Sequence, residues 1–204
     1  MNILRQSGPD LAQTLIQIAL SNPNLSMVLE KAPELDLPNW YVGAGCIAQT
    51  YWNQVHGFPL SENITDIDLV YFDPADISYE AEDRHIQRAN DLFRKVEIPV
   101  DLKNQARVHL WYEKHFGVPI EPYPSVEAAI DTWPTTATAV AITSNGSMEG
   151  STEGSTYRVY APYGLDDLFN LVIRPNKIQI TEEIYHAKVS RWQHHWPRLT
   201  ILSW

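Results

Sequence analysis

Apolar residues recur along this chain with two different periods, and the change of period marks out its elements. Leu11, Leu15, Ile18 and Ala19 fall on one helical stripe, which predicts a first helix after the turn-like "SGPD". A second short helix is predicted over "LSMVLEKA", then a strand over Trp40–Val42 that runs into a glycine turn. From Cys46 onward, Ile47, Ala48, Tyr51, Trp52 and Val55 share a helical face until Gly57 stops it. The next apolar run, Ile67 to Phe72, is continuous and suits a buried strand, closed by the turn signal "DPAD". Residues 79–95 mix both charges around Ile86, Ala89 and Phe93, as a helix with a wet outer face would. In "VEIPVDLKN" the period drops to two: Ile98, Val100 and Leu102 alternate with Glu97, Asp101 and Lys103, which predicts a strand.

The second half reads similarly. A helix through "ARVHLWYEKHFG" ends at Gly117, and another over "SVEAAIDTW" has Ser125 as N-cap and stops before Pro134. "TATAVAI" and "YRVYAP" predict paired strands joined by residues 143–156, a stretch of Ser, Gly and Thr expected to be a mobile loop outside the catalytic centre. Asp166 and Asp167 open a helix ending near Arg174, where their charge complements its N-terminus. Thr181 caps the last helix, whose stripe is Tyr185, Val189, Trp192 and Trp196. The order predicts an α/β (α+β) fold in one domain, residues 1–204: a small mixed sheet flanked by helices. Its parts are N-terminal helices (1–37), a catalytic core (38–110), and helices and a hairpin that complete it (111–204).

Charge and cysteine content narrow the setting. A net charge of −10 argues against broad binding to nucleic acid or anionic membranes. The single cysteine precludes an internal disulfide and suits a reducing compartment. No segment reaches membrane-spanning length and "MNILRQSGPD" lacks a signal-peptide core, so a cytoplasmic protein is expected.

The chemistry concentrates in the first half. Asp66 and Asp68 stand one residue apart at the start of a strand, so both carboxylates leave one face about 7 Å apart. Like charges held that way repel, and a metal ion, a basic partner or plain exposure at an open edge would account for them. Asp101 lies opposite Val100 and Leu102 just as the pair lies opposite Ile67 and Leu69, so all three acids can share an open face above a buried one. "GAGC" adds a glycine turn feeding a helix N-terminus, whose free N–H groups suit phosphate. Carboxylates of this kind suit Mg²⁺, or Mn²⁺, shared with substrate phosphates, and a third acid completes a site for two ions in an in-line displacement. Each piece alone has a bland reading: an exposed strand end, a tight turn, a solvated strand residue. Their order and parity favour the metal.

The segments "WYVGAGCIAQTYWNQVHG", "TDIDLVYFD", "VDLKNQARVHLWYEKHFG", "TWPTTATAVAI", "YAPYGLDDLFNLVIRPNK" and "RWQHHWPRL" resemble a small bacterial nucleotidyltransferase family of unassigned substrate. It lies within the DNA-polymerase-β-like nucleotidyltransferase superfamily, and the resemblance spans Trp40 to Trp204. It implies that fold, an NTP substrate, Gly45 and Cys46 at the phosphate turn, Asp66 and Asp68 as the metal pair, and Asp101 as the third acid. Two features depart from the superfamily pattern: Cys46 stands where Ser or Gly is usual, and the gap from Cys46 to Asp66 is long.

Several residues remain open between function and bland roles. Lys103 and Arg107 could neutralise a triphosphate or be ordinary surface charge, and Asn104 and Gln105 could orient a base or ribose. "WPTTATAV" could line a nucleotide or acceptor pocket, or simply end a helix and begin a strand. Glu97 shares the parity of Asp101 and is its rival as third ligand. His194 and His195 read as surface residues, and the seven tryptophans as core more than base-stacking platforms. The preferred function is transfer of a nucleoside monophosphate from an NTP to a small-molecule or protein hydroxyl, releasing pyrophosphate, with nucleic acid disfavoured as acceptor. Two other classes stand beside it: a sugar-nucleotide glycosyltransferase, and a non-catalytic nucleotide-binding regulator or toxin–antitoxin component.

Overall fold

A five-stranded mixed sheet organises the chain, with helices on both faces; the computed structural model describes residues 8–145 and 156–204. Helices α1 (Gly8–Ser21) and α2 (Pro23–Lys31) come first, joined at Asn22, whose side chain caps α2 by accepting from the Asn24 amide at 3.1 Å. Strand β1 (Tyr41–Gly43) leads into α3 (Gly45–His56), which ends at Gly57 in the left-handed conformation (φ 72°). Strand β2 (Ile67–Tyr71), helix α4 (Tyr79–Leu92) and strand β3 (Val100–Asn104) follow. After a 3₁₀ turn come α5 (His109–Phe116), α6 (Val126–Ile130) and the antiparallel strands β4 (Ala141–Ser144) and β5 (Tyr157–Tyr160). The C-terminal part holds α7 (Asp166–Phe169), β6 (Val172–Ile173), α8 (Glu182–His195) and β7 (Thr200–Ile201).

Strand order is β3-β2-β1-β4-β5, with β2 and β3 parallel and the other pairs antiparallel. The register sorts residues cleanly by face. Val42, Leu69, Leu102 and Ile142 are mutual neighbours and are buried in the main core, which also takes in the apolar sides of α1, α2 and α3. The opposite face carries Tyr41, Val70 and Ala141, packed under Val126 and Ile130 of α6. Helix α6 covers only part of that face. It leaves Asp68, Val70, Asp101 and Lys103 lining a cavity, with Gly43 beside Asp68 in the register.

The C-terminal helix closes the main core from the side of α3. Trp52 meets Trp192 and Trp196 edge-on, with ring centroids 5.3 and 5.2 Å apart. The Trp196 indole N–H donates to Asn53 Oδ1 at 2.7 Å, while the same amide group donates to the Leu60 and Glu62 carbonyls. His195, expected at the surface, is instead only part-exposed, its ring packed between Phe58 and Trp196.

Ser125 and Thr181 cap α6 and α8 as the sequence predicts, accepting from the Ala128 and Ile184 amides. Three expectations need correction. The strand expected over 136–142 begins only at Ala141, because Thr135–Ala139 is a turn in which the Thr135 and Thr138 hydroxyls bond at 2.8 Å and Ala139 N–H reaches the Thr135 carbonyl. The helix expected to run from Asp166 to Arg174 lasts one turn, since Leu171 takes a positive φ of 59° and the chain becomes β6, parallel to an unforeseen β7. Of the expected 143–156 loop, Thr143 and Ser144 belong to β4 and the Asn145 amide bonds the Thr156 carbonyl; residues 146–155 lie outside the described residues.

Candidate active site

The row Gly43–Asp68–Asp101 is set by strand register. Asp68 is the direct partner of Gly43 on β1 and of Asp101 on β3, so the two carboxylates leave adjacent strands on one face. Asp66 is exposed just before β2, its Oδ1 accepting from the Thr65 hydroxyl at 2.9 Å. Asp68 is the electrostatic focus. Burial first, then the charges of Asp66 and Asp101, push its pKa from 3.8 up to about 7, against the opposing pull of Lys188 and Lys103. Glu97 precedes β3 and is exposed, its backbone amide tied to Asn24, which separates it from the row where Asp101 stands.

The turn between β1 and α3 approaches this row from the other side. Ala44 sits at φ 63°, ψ −136°, a conformation costly for a residue with a Cβ, and its amide is used by the Val140 carbonyl at 3.0 Å. Gly43 has no room for a side chain: a Cβ there would lie 2.6 Å from the Trp133 ring and 2.9 Å from the Val140 oxygen. Gly45 and Cys46 open α3, where backbone N–H groups lack partners one turn back. The Cys46 side chain does not take part at the surface. It is buried, its thiol donates to the Gly43 carbonyl at 3.0 Å, and burial followed by the Asp68 charge pushes its pKa well up. The side chain of Cys46 thus fills core space and leaves only its backbone at the turn.

Lys103 lies one repeat beyond Asp101, and its Nζ contacts Asp101 Oδ1 at 2.5 Å. Arg107 is already engaged: its guanidinium pairs with the buried Glu82, donates to the Ile77 carbonyl and lies 5.8 Å from the Tyr79 ring centre. Glu82 also accepts from the Asn104 amide at 2.8 Å, so the pair braces the end of β3. Asn104 is buried and ties β3 to Asp73, while Gln105 reaches the cavity.

The cavity, of about 330 Å³, extends from Ala44, Asp68, Asp101 and Lys103 toward Trp111 and Trp133. Its lining also includes Tyr123, Gln179, Ile184 and Lys188, none of them singled out for this site by the sequence. Lys188 lies 5.3 Å from the centre of the Trp192 ring; burial lowers its pKa, and Asp68 counters that. A spacing signal did exist, since Ile184 and Lys188 are four apart on α8, yet nothing in the sequence tied α8 to β2. "WPTTATAV" divides: Trp133 and Pro134 line the cavity, whereas Thr136 donates to Asp167, which also holds Arg174 at 2.9 Å. Asp167 is therefore a clamp between segments and not simply a helix-end charge.

A hard divalent cation takes oxygen ligands of the kind that Asp66, Asp68 and Asp101 carry. Among the described residues, no three His, Cys, Asp or Glu side chains are gathered tightly enough to enclose an ion as they stand. The oxygens present are nonetheless the kind a hard cation takes, and burial, then the charges of Asp66 and Asp101, makes ionised Asp68 costly despite the opposing Lys188 and Lys103.

A family model described as "Nucleotidyltransferase" matches residues 30–201. A solved structure, an NMR structure described as revealing a CCA-adding enzyme head domain, is 25% identical over 100% of this chain and 99% of that chain, with a TM-score of 0.74. No curated protein matches. Among the described residues no helix is long and apolar enough to cross a membrane.

Proposed function

The chain belongs to the nucleotidyltransferase family, and on that premise we propose that it moves a nucleoside monophosphate from an NTP to a hydroxyl of an acceptor, releasing pyrophosphate. The observation that carries this reading is the register of Asp68 against Asp101, beside the turn that opens α3. Asp66, Asp68 and Asp101 would hold Mg²⁺ or Mn²⁺. The metal, when bound, neutralises charge at the transferred phosphoryl group and lowers the pKa of the acceptor hydroxyl. Gly45 and Cys46 offer backbone N–H groups to the leaving phosphates, and Lys103 and Lys188 add countercharge. Arg107 serves more as the brace of β3 than as a free cation, because Glu82 holds it. The acceptor oxygen bonds to the α-phosphorus as the bond to the β-phosphate bridge breaks, and the hydroxyl proton leaves on the side of Asp101. Trp111 and Trp133 keep water from the phosphorus.

A small-molecule or protein acceptor suits the charge distribution, with the protein working in the cytoplasm. The basic residues outside the cavity are partly consumed: Arg174 by Asp167, and Lys177 by the Trp204 ring at 5.1 Å. A non-catalytic nucleotide-binding regulator remains the rival, since Lys103 already occupies one Asp101 oxygen. Incubation with each α-labelled NTP, Mg²⁺ and a cell extract separates the two. Label moving to a product supports transfer; nucleotide binding without any label transferred would support the regulator.

A further inference from the structure

Two carboxamides, Gln179 and Gln105, line the cavity, and a hydrogen bond at one end of each favours the other end for a ligand. The Tyr123 hydroxyl donates to Gln179 Oε1 at 2.6 Å and lies 3.0 Å from Thr132 Oγ1, whose own proton goes to the Ala129 carbonyl at 2.8 Å. With Oε1 taken, Gln179 is left to present its NH₂ group. Gln105, only 7% exposed, lines the same cavity and makes one long contact from its NH₂ to the Lys103 carbonyl at 3.5 Å, which turns its Oε1 away from that carbonyl. The aromatic rings of Trp111, Tyr112, Tyr123 and Trp133 line the same space. One donor, one acceptor and flat apolar walls are complementary to a heteroaromatic ring that carries an acceptor and a donor on its edge.

We infer that Gln179 and Gln105 read the base of the NTP, Gln179 donating to a ring carbonyl or ring nitrogen and Gln105 accepting from an amino or imino N–H. This rests on the nucleotidyl-transfer reading and specifies its nucleotide subsite. Tyr123 is then a positioning residue: it orients the Gln179 amide and touches the base with its ring. A site built from buried hydrogen-bonding groups discriminates strongly, because a mismatched base leaves those groups unpaired. In this reading the phosphates would take the part of the cavity lined by Ala44, Asp68, Asp101 and Lys103, where Lys188 feels the Asp68 charge, and the base and the triphosphate would be recognised by separate residues.

The test is calorimetric titration of the full chain, with Mg²⁺ present, using α,β-methylene analogues of ATP, GTP, CTP and UTP, and inorganic tripolyphosphate as the base-free probe. At least one analogue should bind about tenfold or more tightly than tripolyphosphate. Gln179→Glu keeps an acceptor for Tyr123 and so preserves the fold, but it turns the donor into an acceptor. It should weaken the preferred analogue about tenfold more than tripolyphosphate and reorder the four bases. Gln105→Met should weaken the same analogue while leaving tripolyphosphate unchanged. If all four analogues bind like tripolyphosphate, or both variants keep the wild-type order, the inference is overturned even where label transfer proceeds. If no analogue binds and no label is transferred, the transfer reading itself falls and takes this one with it.

Discussion

Replacing Asp68 by asparagine should change stability in a way that depends on pH. In the folded protein the Asp68 carboxyl holds its proton up to about pH 7, against an ordinary value of 3.8, so ionising it works against the fold. The folded state binds the proton more tightly than the unfolded chain. Stability from this group is therefore fully present below about pH 4 and is lost as pH rises through 7. A rise from 3.8 to about 7 corresponds to a ceiling of about 4 kcal/mol, of which about 2.5 kcal/mol falls between roughly pH 5 and pH 8. Because Asp68 keeps some contact with solvent, about 1–2.5 kcal/mol is the expected range over that interval. Urea unfolding in EDTA at the two pH values, on wild type and Asp68→Asn, measures it. The variant should match wild type near pH 5 and exceed it near pH 8, since asparagine adds no charge beside Asp66 and Asp101. A difference that does not change with pH, within about 0.5 kcal/mol, would show that burial and the neighbouring carboxylates do not raise the proton affinity of Asp68.

Other expectations follow from the same geometry. Gly43→Ala should cost about 2–3 kcal/mol in thermal or urea unfolding, because its Cβ meets the Trp133 ring at 2.6 Å and a backbone oxygen at 2.9 Å; a neutral substitution would mean the Trp133 ring is not seated against β1. Asp101→Ala should reduce label transfer by about a hundredfold or more while leaving NTP affinity within a few-fold, and Glu97→Ala should leave both near wild type; the reverse ranking would make Glu97 the third acid. Binding to tRNA and to single-stranded RNA, measured across a salt series with Mg²⁺ and NTP, should be weak and should vanish near physiological salt, given the paired state of Arg174. Micromolar RNA affinity there, with label on an RNA end, would overturn the small-molecule or protein acceptor.

How much of this was readable without coordinates depends on the range of the contacts involved. The helices and strands from Leu11 to Leu102 follow local periodicity, and the common face of Asp68 and Asp101 follows from the two-residue repeat against Leu69 and Leu102. Membership of the nucleotidyltransferase family was likewise visible in the quoted motifs. The rest of the cavity's lining was not. Tyr123, Gln179 and Lys188 line one cavity with Asp68 only because the segments around α6 and α8 come together with the sheet, and no local pattern encodes such placement. Trp111 escaped notice for a related reason, and Trp133 stood out only within the ambiguous "WPTTATAV" segment. Trp40, Trp52, Trp192 and Trp196 are core, and composition alone gives no means of telling two cavity-lining rings from four buried ones. The short α7 failed for a third reason. Leu171 turns the chain at a positive φ that leucine rarely adopts, which tertiary packing imposes and residue preference would oppose.

The central claim is that Asp68 and Asp101, with Asp66, hold the divalent cation that nucleotidyl transfer needs. It can be tested without knowing the acceptor. Electron paramagnetic resonance titration counts free Mn²⁺ in the presence of wild-type protein and a saturating α,β-methylene NTP analogue. Bound Mn²⁺ that is lost, by about tenfold or more in affinity, in both Asp68→Asn and Asp101→Ala is the predicted result. Mn²⁺ affinity that is indifferent to both substitutions, or no binding by the wild type beyond that of the analogue alone, would contradict it.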